Sequence, residues 1–153
     1  MNSGSGRERV LGVRLLQIAV VYLVLGMLGG IYMGITHQLQ YGPVHAHMNL
    51  LGWATLAIAG LTYQVYPELA RHWLASWHAW LHNVGLVLMM VGMFGMFSGR
   101  MELFPLAVAG SITAMVGVLL FAANVCGRLS IRAAHITRPS QTVAAGYFGK
   151  DNV

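Results

Sequence analysis

Four long apolar stretches dominate the chain. Each contains almost no charged residue, and together they cover roughly residues 15–35, 44–65, 74–97 and 103–125. About twenty residues with a rise of about 1.5 Å each span a hydrocarbon core of about 30 Å, so each stretch can cross a bilayer as a helix. The first and fourth are apolar on every side, whereas a β-barrel strand alternates apolar and polar residues. The pattern therefore predicts an all-α membrane protein, built as a bundle of four transmembrane helices.

The overall composition agrees with a membrane location. Of the 153 residues, 57% are hydrophobic and only 8% are charged, which is far from a soluble globule and limits the chain to one domain. The first residues are rich in Ser and Gly, and the C-terminal end is polar and basic. We expect a disordered N-terminus over residues 1–9, a transmembrane domain over residues 10–127 and a basic cytoplasmic tail over residues 128–153.

The basic residues are divided unevenly between the two ends of the predicted bundle. With four spans, one side receives only Arg100, and the other receives Arg7, Arg9, Arg14, Arg71, Arg128, Arg132, Arg138 and Lys150. The positive-inside rule assigns the Arg-rich side to the cytoplasm, with both termini inside. The first stretch is too long for a signal peptide and should be retained. We therefore expect a multi-pass protein of a bacterial-type inner membrane, whose net charge of +5 reflects topology and contact with lipid head groups rather than nucleic-acid binding.

The second stretch carries the main candidates for chemistry, His45 and His47. A neutral imidazole at the edge of a hydrocarbon layer offers a nitrogen lone pair and has few partners there, so a metal or a haem iron is a strong candidate to bind it. Residues two apart on a helix project about 200° from each other. The two histidines therefore cannot bind one ion together. They are predicted to serve two sites on opposite flanks of the helix, unless one of them has a structural role.

Other residues in the spans have simpler explanations. Trp53 lies inside the second stretch, where it packs against a helix or against a flat cofactor. His78 and His82 share one face of the third helix, but two ligands are too few for a closed metal site, and we favour hydrogen bonds at the membrane interface. The methionines of the third stretch are expected to fill irregular packing.

Small residues mark two faces for close helix packing. The first stretch has Gly26, Gly30 and Gly34 at four-residue spacing, and the fourth has Gly110, Ser111, Thr113, Ala114 and Gly117. Such faces let helix backbones approach each other in a membrane without a hydrophobic driving force. The partner of the first face is a helix of the same subunit or of another, and the pattern leaves both open.

The second stretch also resembles a known helix. Its sequence HMNLLGW, followed by TYQVYPE, is similar to the second transmembrane helix of the catalytic subunit of the haem-copper oxidase superfamily, and closest to the nitric oxide reductase branch. In that helix a histidine followed two residues later by Asn-Leu-Leu binds the low-spin haem b near the outer surface. The matching residues here are His47, Asn49, Leu50, Leu51, Tyr63, Tyr66, Pro67 and Glu68. The sequence His-Ala-His at residues 45–47 resembles the His-x-His of the family's tenth helix, whose two histidines face two different haems.

The resemblance implies a function and an assembly. The family's catalytic subunit is a ring of three four-helix units, so one such unit could rebuild the ring as a homotrimer that holds haem b between its second helices. His45 of one subunit would face the iron approached by His47 of its neighbour, with Asn49 and Trp53 beside the cofactor. The protein would serve electron transfer, with a redox donor as partner, or the binding of a diatomic gas such as NO or O₂.

Two alternatives remain open. A copper-handling protein could use His37, His45 and His47 as ligands together with nearby methionines, because thioethers and imidazoles suit Cu(I). In the plainer alternative the histidines only form hydrogen bonds at the interfaces. An enzyme is the weaker prediction, because the spans contain no nucleophile–base pair, no carboxylate dyad and no zinc signature.

Overall fold

The computed structural model describes residues 4–136, with side chains between residues 10 and 128. Within that range the chain is helical and contains no strand, which confirms the all-α prediction. The α-helices are α1 (Gly4–Thr36), α2 (Gly42–His47), α3 (Leu56–Val65), α4 (Pro67–Ala70), α5 (Trp73–Phe97) and α6 (Phe104–Ile136). Short 3₁₀ turns occupy Leu39–Tyr41 and Met101–Leu103, and a π-helical segment, Met48–Thr55, joins α2 directly to α3.

Three helices in the described part of the chain are long and apolar enough to cross a membrane. They are Val10–Thr36, Trp73–Phe97 and Met101–Arg128, and they correspond to the first, third and fourth predicted spans. The second predicted span, residues 44–65, is also helical throughout, but the π-helical segment divides it into short pieces. We call residues 42–65, which comprise α2, the π-helical segment and α3, the second helix.

The outer bounds of the bundle differ from the predicted ones. Helix α1 begins at Gly4, inside the stretch expected to lack structure, and α6 continues to Ile136, beyond the predicted end of the transmembrane domain. The rest of the predicted tail, residues 137–153, lies outside the described residues, as do residues 1–3.

Helices α5 and α6 pack with their backbones in direct contact. A Cβ atom at Gly85 would meet the backbone of Ala114 and would lie 2.8 Å from the carbonyl oxygen of Gly110. A Cβ atom at Gly117 would lie 2.6 Å from the backbone nitrogen of His82. The small-residue face predicted for the fourth stretch is thus confirmed as a contact within one chain, made close by the absence of side chains.

The first and second helices share the main apolar core. Its fully buried members include Leu15 and Ala19 from α1, and Leu56, Ala59 and Tyr63 from α3. Met89 and Met90 of α5 are buried in a second cluster with Val44, which confirms their predicted role as packing residues. Large apolar side chains cover the outside of α1, as expected for a helix that faces lipid.

Contacts at the two ends show that consecutive helices run antiparallel. At one end, which we call the upper end, Tyr41 stacks on Phe94 with ring centroids 4.9 Å apart, and its hydroxyl lies 3.0 Å from Ser98 Oγ. At the opposite, lower end the Asn124 amide donates to the carbonyl oxygen of Leu69 at 3.0 Å. A group of exposed tryptophans also lies at the lower end, at Trp73, Trp77 and Trp80.

The close α5–α6 contact leads to a stability prediction. Gly85→Ala should lower the free energy of unfolding by about 1–3 kcal/mol, because the new methyl group forces the two helix backbones apart. Gly127→Ala on α6 is the matched control, since a Cβ there meets nothing within 4 Å. Because alanine has a higher helix propensity than glycine, Gly127→Ala should leave the free energy of unfolding unchanged or raise it by up to about 1 kcal/mol. Unfolding in detergent, followed by circular dichroism, measures both, and equal stability of the two variants would contradict the packing described.

Candidate functional site

The second helix has a different neighbour on each of its sides. His45 and Asn49 face α1, where they meet the glycines of the first small-residue face. Val44 points the opposite way from Ala46 and packs against α5. His47 lines a groove with residues of α6, and the remaining face, which includes Ala46 and Leu50, is exposed. The predicted placement of His45 and His47 on opposite flanks of one helix is therefore confirmed.

On the α1 flank, His45 is held by the backbone of the neighbouring helix. Its Nδ1 lies 2.9 Å from the carbonyl oxygen of Gly26. A carbonyl oxygen can only accept, so Nδ1 carries the hydrogen and Nε2 keeps its lone pair. The imidazole lies over Gly30, where a Cβ atom would come within 3.0 Å of His45 Cε1. Gly30 thus provides the space in which the ring lies.

Asn49 completes this flank. Its Nδ2 donates to the carbonyl oxygen of His45 at 2.9 Å and lies 3.3 Å and 3.4 Å from the two ring nitrogens. A Cβ atom at Gly26 would lie 2.6 Å from Asn49 Oδ1. Gly26 and Gly30 therefore form a notch for two polar side chains of the same chain. The partner of Gly26 and Gly30 is therefore a helix of the same subunit and not of another. A Cβ atom at Gly34, by contrast, would meet open space.

On the α6 flank, His47 is oriented by its own helix. Its Nδ1 lies 2.7 Å from the carbonyl oxygen of Pro43, so here too Nδ1 donates and Nε2 keeps its lone pair. The imidazole lines a groove of about 280 Å³ together with Met89 of α5 and Ser111, Ala114 and Met115 of α6. His45 lines a separate cavity of about 140 Å³ between α1 and α2, which Phe94 helps to close.

Both imidazoles thus share one arrangement of donor and lone pair. A histidine that binds a metal almost always donates its other ring N–H to a carbonyl oxygen, a carboxylate or water, which fixes the tautomer and the ring orientation. His45 and His47 each make that bond to a backbone carbonyl oxygen, in two different cavities. Each Nε2 therefore carries a lone pair, and at His45 the Asn49 amide nitrogen lies 3.4 Å from it.

The π-helical segment is a feature that sequence reasoning missed. It begins directly after His47, and its backbone hydrogen bonds close wider turns than those of an α-helix. This geometry is rare in proteins, but where it occurs it is often at a functional site. Side chains donate to carbonyl oxygens along and beside it: Thr55 Oγ1 to Leu50 at 2.8 Å, and His82 Nε2 to Leu51 at 3.0 Å. Polar residues such as Asn49 and Thr55 within an apolar span were the available signal.

Two other predicted site residues lie apart from the histidines. His37 is exposed in the upper loop, with a backbone φ of 57°. No three His, Cys, Asp or Glu side chains among the described residues come together as a metal-binding group. The prediction that His37, His45 and His47 are metal ligands therefore stays a prediction, with His37 apart from the other two in this chain. Trp53 is partly buried against the core shared by α1 and α3, which is one of the two roles expected for it, and its place beside a cofactor stays a prediction.

His78 and His82 are hydrogen-bonded, as predicted, but the prediction that they lie at the interface is wrong. Both are 0% exposed, because α6 and the second helix cover that face of α5. Tyr63 Oη lies 3.0 Å from His78 Nδ1, and His82 reaches the π-helical segment at Leu51. Their partners are 15 and 31 residues away in the sequence, which is why local spacing did not reveal them.

His72 precedes α5 at the lower end, outside the spans. Its Nδ1 accepts a hydrogen bond from the Leu74 backbone N–H at 3.4 Å and caps the helix. Loss of solvation lowers the pKa of the His72 imidazole, and the positive charge of Arg128 acts in the same direction. This histidine is therefore neutral at neutral pH and has a structural role.

No protein-family profile, curated protein or solved structure matches this chain in the three comparisons made. The resemblance of residues 47–68 to the haem-copper oxidases thus stays a prediction that rests on those residues. The hydrogen bonds and cavities around His45 and His47 are structural observations that do not depend on that resemblance.

The hydrogen bonds lead to a prediction about tautomers. In the haem-free protein at neutral pH, His45 and His47 should both carry their hydrogen on Nδ1, because a carbonyl oxygen accepts from that atom in each case. NMR of ¹⁵N-histidine-labelled protein in bilayers distinguishes the two tautomers. Gly30→Ala should disturb the His45 signals by displacing the ring, and Gly34→Ala, where a Cβ meets open space, should not. A spectrum in which Nδ1 of either histidine carries no hydrogen would contradict the assigned geometry.

Proposed function

We propose that this protein is an integral membrane protein that binds b-type haem through His45 and His47. The observation that carries the proposal is the pair of Nδ1–H donors, each held by a backbone carbonyl oxygen, so that Nε2 carries the lone pair that iron would bind. At His45, iron would replace the Asn49 amide nitrogen that lies 3.4 Å from Nε2. His45 and His47 would hold the haem, which would supply an iron centre for electron transfer or for the binding of NO or O₂. The chain's own role is to orient the imidazoles and to exclude water from the iron.

The form of the two cavities favours a cofactor shared between subunits. Ligand sites commonly enclose about 300–1,000 Å³ and bury most of the ligand. The cavities of about 140 and 280 Å³ beside His45 and His47 are smaller and lie on opposite flanks. Each therefore needs a second surface to complete it. A copy of the chain offers that surface, with His47 approaching where the first copy presents His45.

The exposed face of the second helix supports a trimer. Between the two histidines lies Ala46, and the apolar stripe continues along the helix with Leu50, Ile58, Leu61 and Val65, which are 55–66% exposed. In the proposed assembly the stripes of three copies pack around a common axis, and residues 42–65 form a fourth membrane span. Both termini lie in the cytoplasm of a bacterial-type cell, so the upper end faces outward.

Replacement of either histidine tests the haem site. His45→Ala and His47→Ala should each lower the haem content of protein expressed with ample haem several-fold, because one axial imidazole is lost. His37→Ala, in the exposed loop, is the matched control and should keep the full content. Absorption spectra of oxidised and dithionite-reduced protein, with and without CO, measure haem content and an open ligand position. A wild-type protein without a Soret band, or undiminished haem in both alanine variants, would refute the proposal.

A separate variant tests whether the apolar stripe of the second helix forms the trimer contact. Leu50→Trp should break the trimer into monomers, because the larger side chain cannot be accommodated where three helices meet. Val87→Trp is the matched control, since Val87 is 51% exposed on α5 and is not part of the apolar stripe. Native mass spectrometry from detergent gives the oligomeric state. A wild-type monomer would exclude haem held between subunits without excluding haem bound by one chain.

Copper is the second candidate ligand, favoured by one observation. The groove beside His47 is also lined by Met89 and Met115, and thioether sulfurs with an imidazole are ligands that suit Cu(I). Elemental analysis together with the absorption spectrum separates the two functions. Copper in the protein without a Soret band would assign the groove to copper, and iron with a Soret band would assign it to haem. In the copper alternative, Met115→Leu lowers the bound copper, whereas haem content is unaffected.

A further inference from the structure

A groove of about 320 Å³ lies at the upper end of the bundle, between the second helix and α5. Its apolar lining comes from both helices and from the turn before α6, and consists of Val44, Met48, Met90, Val91, Phe94 and Leu103. Val91 and Phe94 are more than half exposed, so the groove opens toward lipid. We call it the upper groove.

The upper groove is apolar along its length and cationic at its top. Among the described residues that line it, only Arg100 is charged. Arg100 follows the upper end of α5, and the groove continues down that helix to Met90. From Phe97 to Met90 the helix covers about 10 Å at a rise of about 1.5 Å per residue. The groove therefore has the form of an apolar channel that begins at a positive charge at the membrane surface.

The backbone at the end of α5 fixes the position of Arg100. Gly99 has a φ of 90°, which favours glycine, and its N–H donates to the carbonyl oxygen of Met96 at 3.1 Å. The N–H of Arg100 donates to the carbonyl oxygen of Gly95 at 2.9 Å, which completes the double hydrogen bond of a Schellman motif. On the other side, the Leu103 N–H donates to the Arg100 carbonyl oxygen at 3.0 Å. Arg100 is thus held at the top of the groove by bonds on both sides.

The charge of Arg100 is not compensated by the protein. Its side chain is exposed and, among the described residues, has no hydrogen bond or ion pair, not even with Glu102 two residues later. The other upper connection, residues 37–41, contains no Lys, Arg, Asp or Glu. A guanidinium is weakly hydrated, and its planar set of N–H donors matches a phosphate group. The geometry therefore suits an anion that also has an apolar part.

We propose that the upper groove binds one anionic phospholipid of the phosphatidylglycerol type. Its phosphate pairs with Arg100, and one acyl chain lies in the groove against Val91 and Met90. The groove reaches the volume of ligand sites, which enclose about 300–1,000 Å³. Met48 and Met90 are flexible and can adapt to an irregular apolar ligand. A zwitterionic lipid has the same chains and phosphate, but its own cation competes with Arg100, so the site should prefer the anionic lipid.

The upper groove also adjoins the cavity beside His45. Val44, Met48 and Phe94 line both spaces, so a bound acyl chain packs against the wall of that cavity without entering it. Lipid binding itself requires only the second helix, α5 and the turn before α6. It is therefore independent of haem.

Photoactivatable lipids test the site in the full chain. Wild-type protein in bilayers receives phosphatidylglycerol or phosphatidylcholine with the same diazirine-bearing acyl chains, and mass spectrometry maps the labelled residues after irradiation. Labelling of Val91 and Leu103 should be about fivefold stronger with phosphatidylglycerol, the factor that one basic residue near anionic lipid provides. Ile112, exposed on α6 outside the groove, should be labelled equally by both lipids. Equal labelling of the groove by the two lipids, or an unlabelled groove, would overturn the proposal.

A charge variant tests the role of Arg100. Arg100→Gln should reduce labelling of the groove by phosphatidylglycerol to the level of phosphatidylcholine, because the partner of the phosphate is lost. Arg128→Gln removes the same charge at the lower end and is the matched control, which should keep the fivefold preference. A preference that survives Arg100→Gln, or that is lost equally in Arg128→Gln, would refute a site at Arg100.

A second variant tests the place of the acyl chain. Val91→Trp fills the groove, so labelling of Leu103 by phosphatidylglycerol should fall several-fold although Arg100 is retained. Val87→Trp, one turn further down α5 and outside the groove, should leave this labelling unchanged. Both valines are 51% exposed, so neither change disturbs the core, and circular dichroism checks the fold. Unchanged labelling in Val91→Trp would show that the chain lies elsewhere. Since the measurements need no haem, their outcome is separate from that of the haem proposal.

Discussion

The Nδ1–H of His45 donates to the carbonyl oxygen of Gly26 at 2.9 Å, and the position of the second helix depends on this bond. In a hydrocarbon layer a polar side chain finds its partner inside the protein or has none. Gly26 and Gly30 make the partner reachable, because a Cβ at either position would collide with Asn49 or with the His45 ring. The notch therefore fixes which side of the second helix faces α1 and, as a consequence, directs His47 to the α6 side.

The π-helical segment connects the two polar regions of the second helix. It starts after His47 and continues to Thr55, and its carbonyl oxygens accept from Thr55 and from His82 of α5. Beyond it, Tyr63 Oη in α3 lies 3.0 Å from His78 Nδ1. The segment thus directly follows the upper histidines and also bonds to His82 of α5.

The histidines of the chain have different roles because their surroundings differ. His45 and His47 are partly buried, each lines a cavity, and each carries a lone pair on Nε2, which is what the proposed ligand requires. His78 and His82 are fully buried, and each has one ring nitrogen without a hydrogen-bond partner inside the bundle. His72 uses its lone pair to cap α5 and has no such role.

The amino-acid sequence alone determined the helices and the divergence of His45 from His47, because apolar length and helical periodicity are local properties. It also marked the small-residue face of α6, whose partner is α5, the preceding long helix of the chain. Only the tertiary structure decided that Gly26 and Gly30 accommodate His45 and Asn49, and that His78 and His82 are buried rather than interfacial. These outcomes depend on partners 15 to 31 residues away, which are selected by helix packing rather than by spacing within one helix.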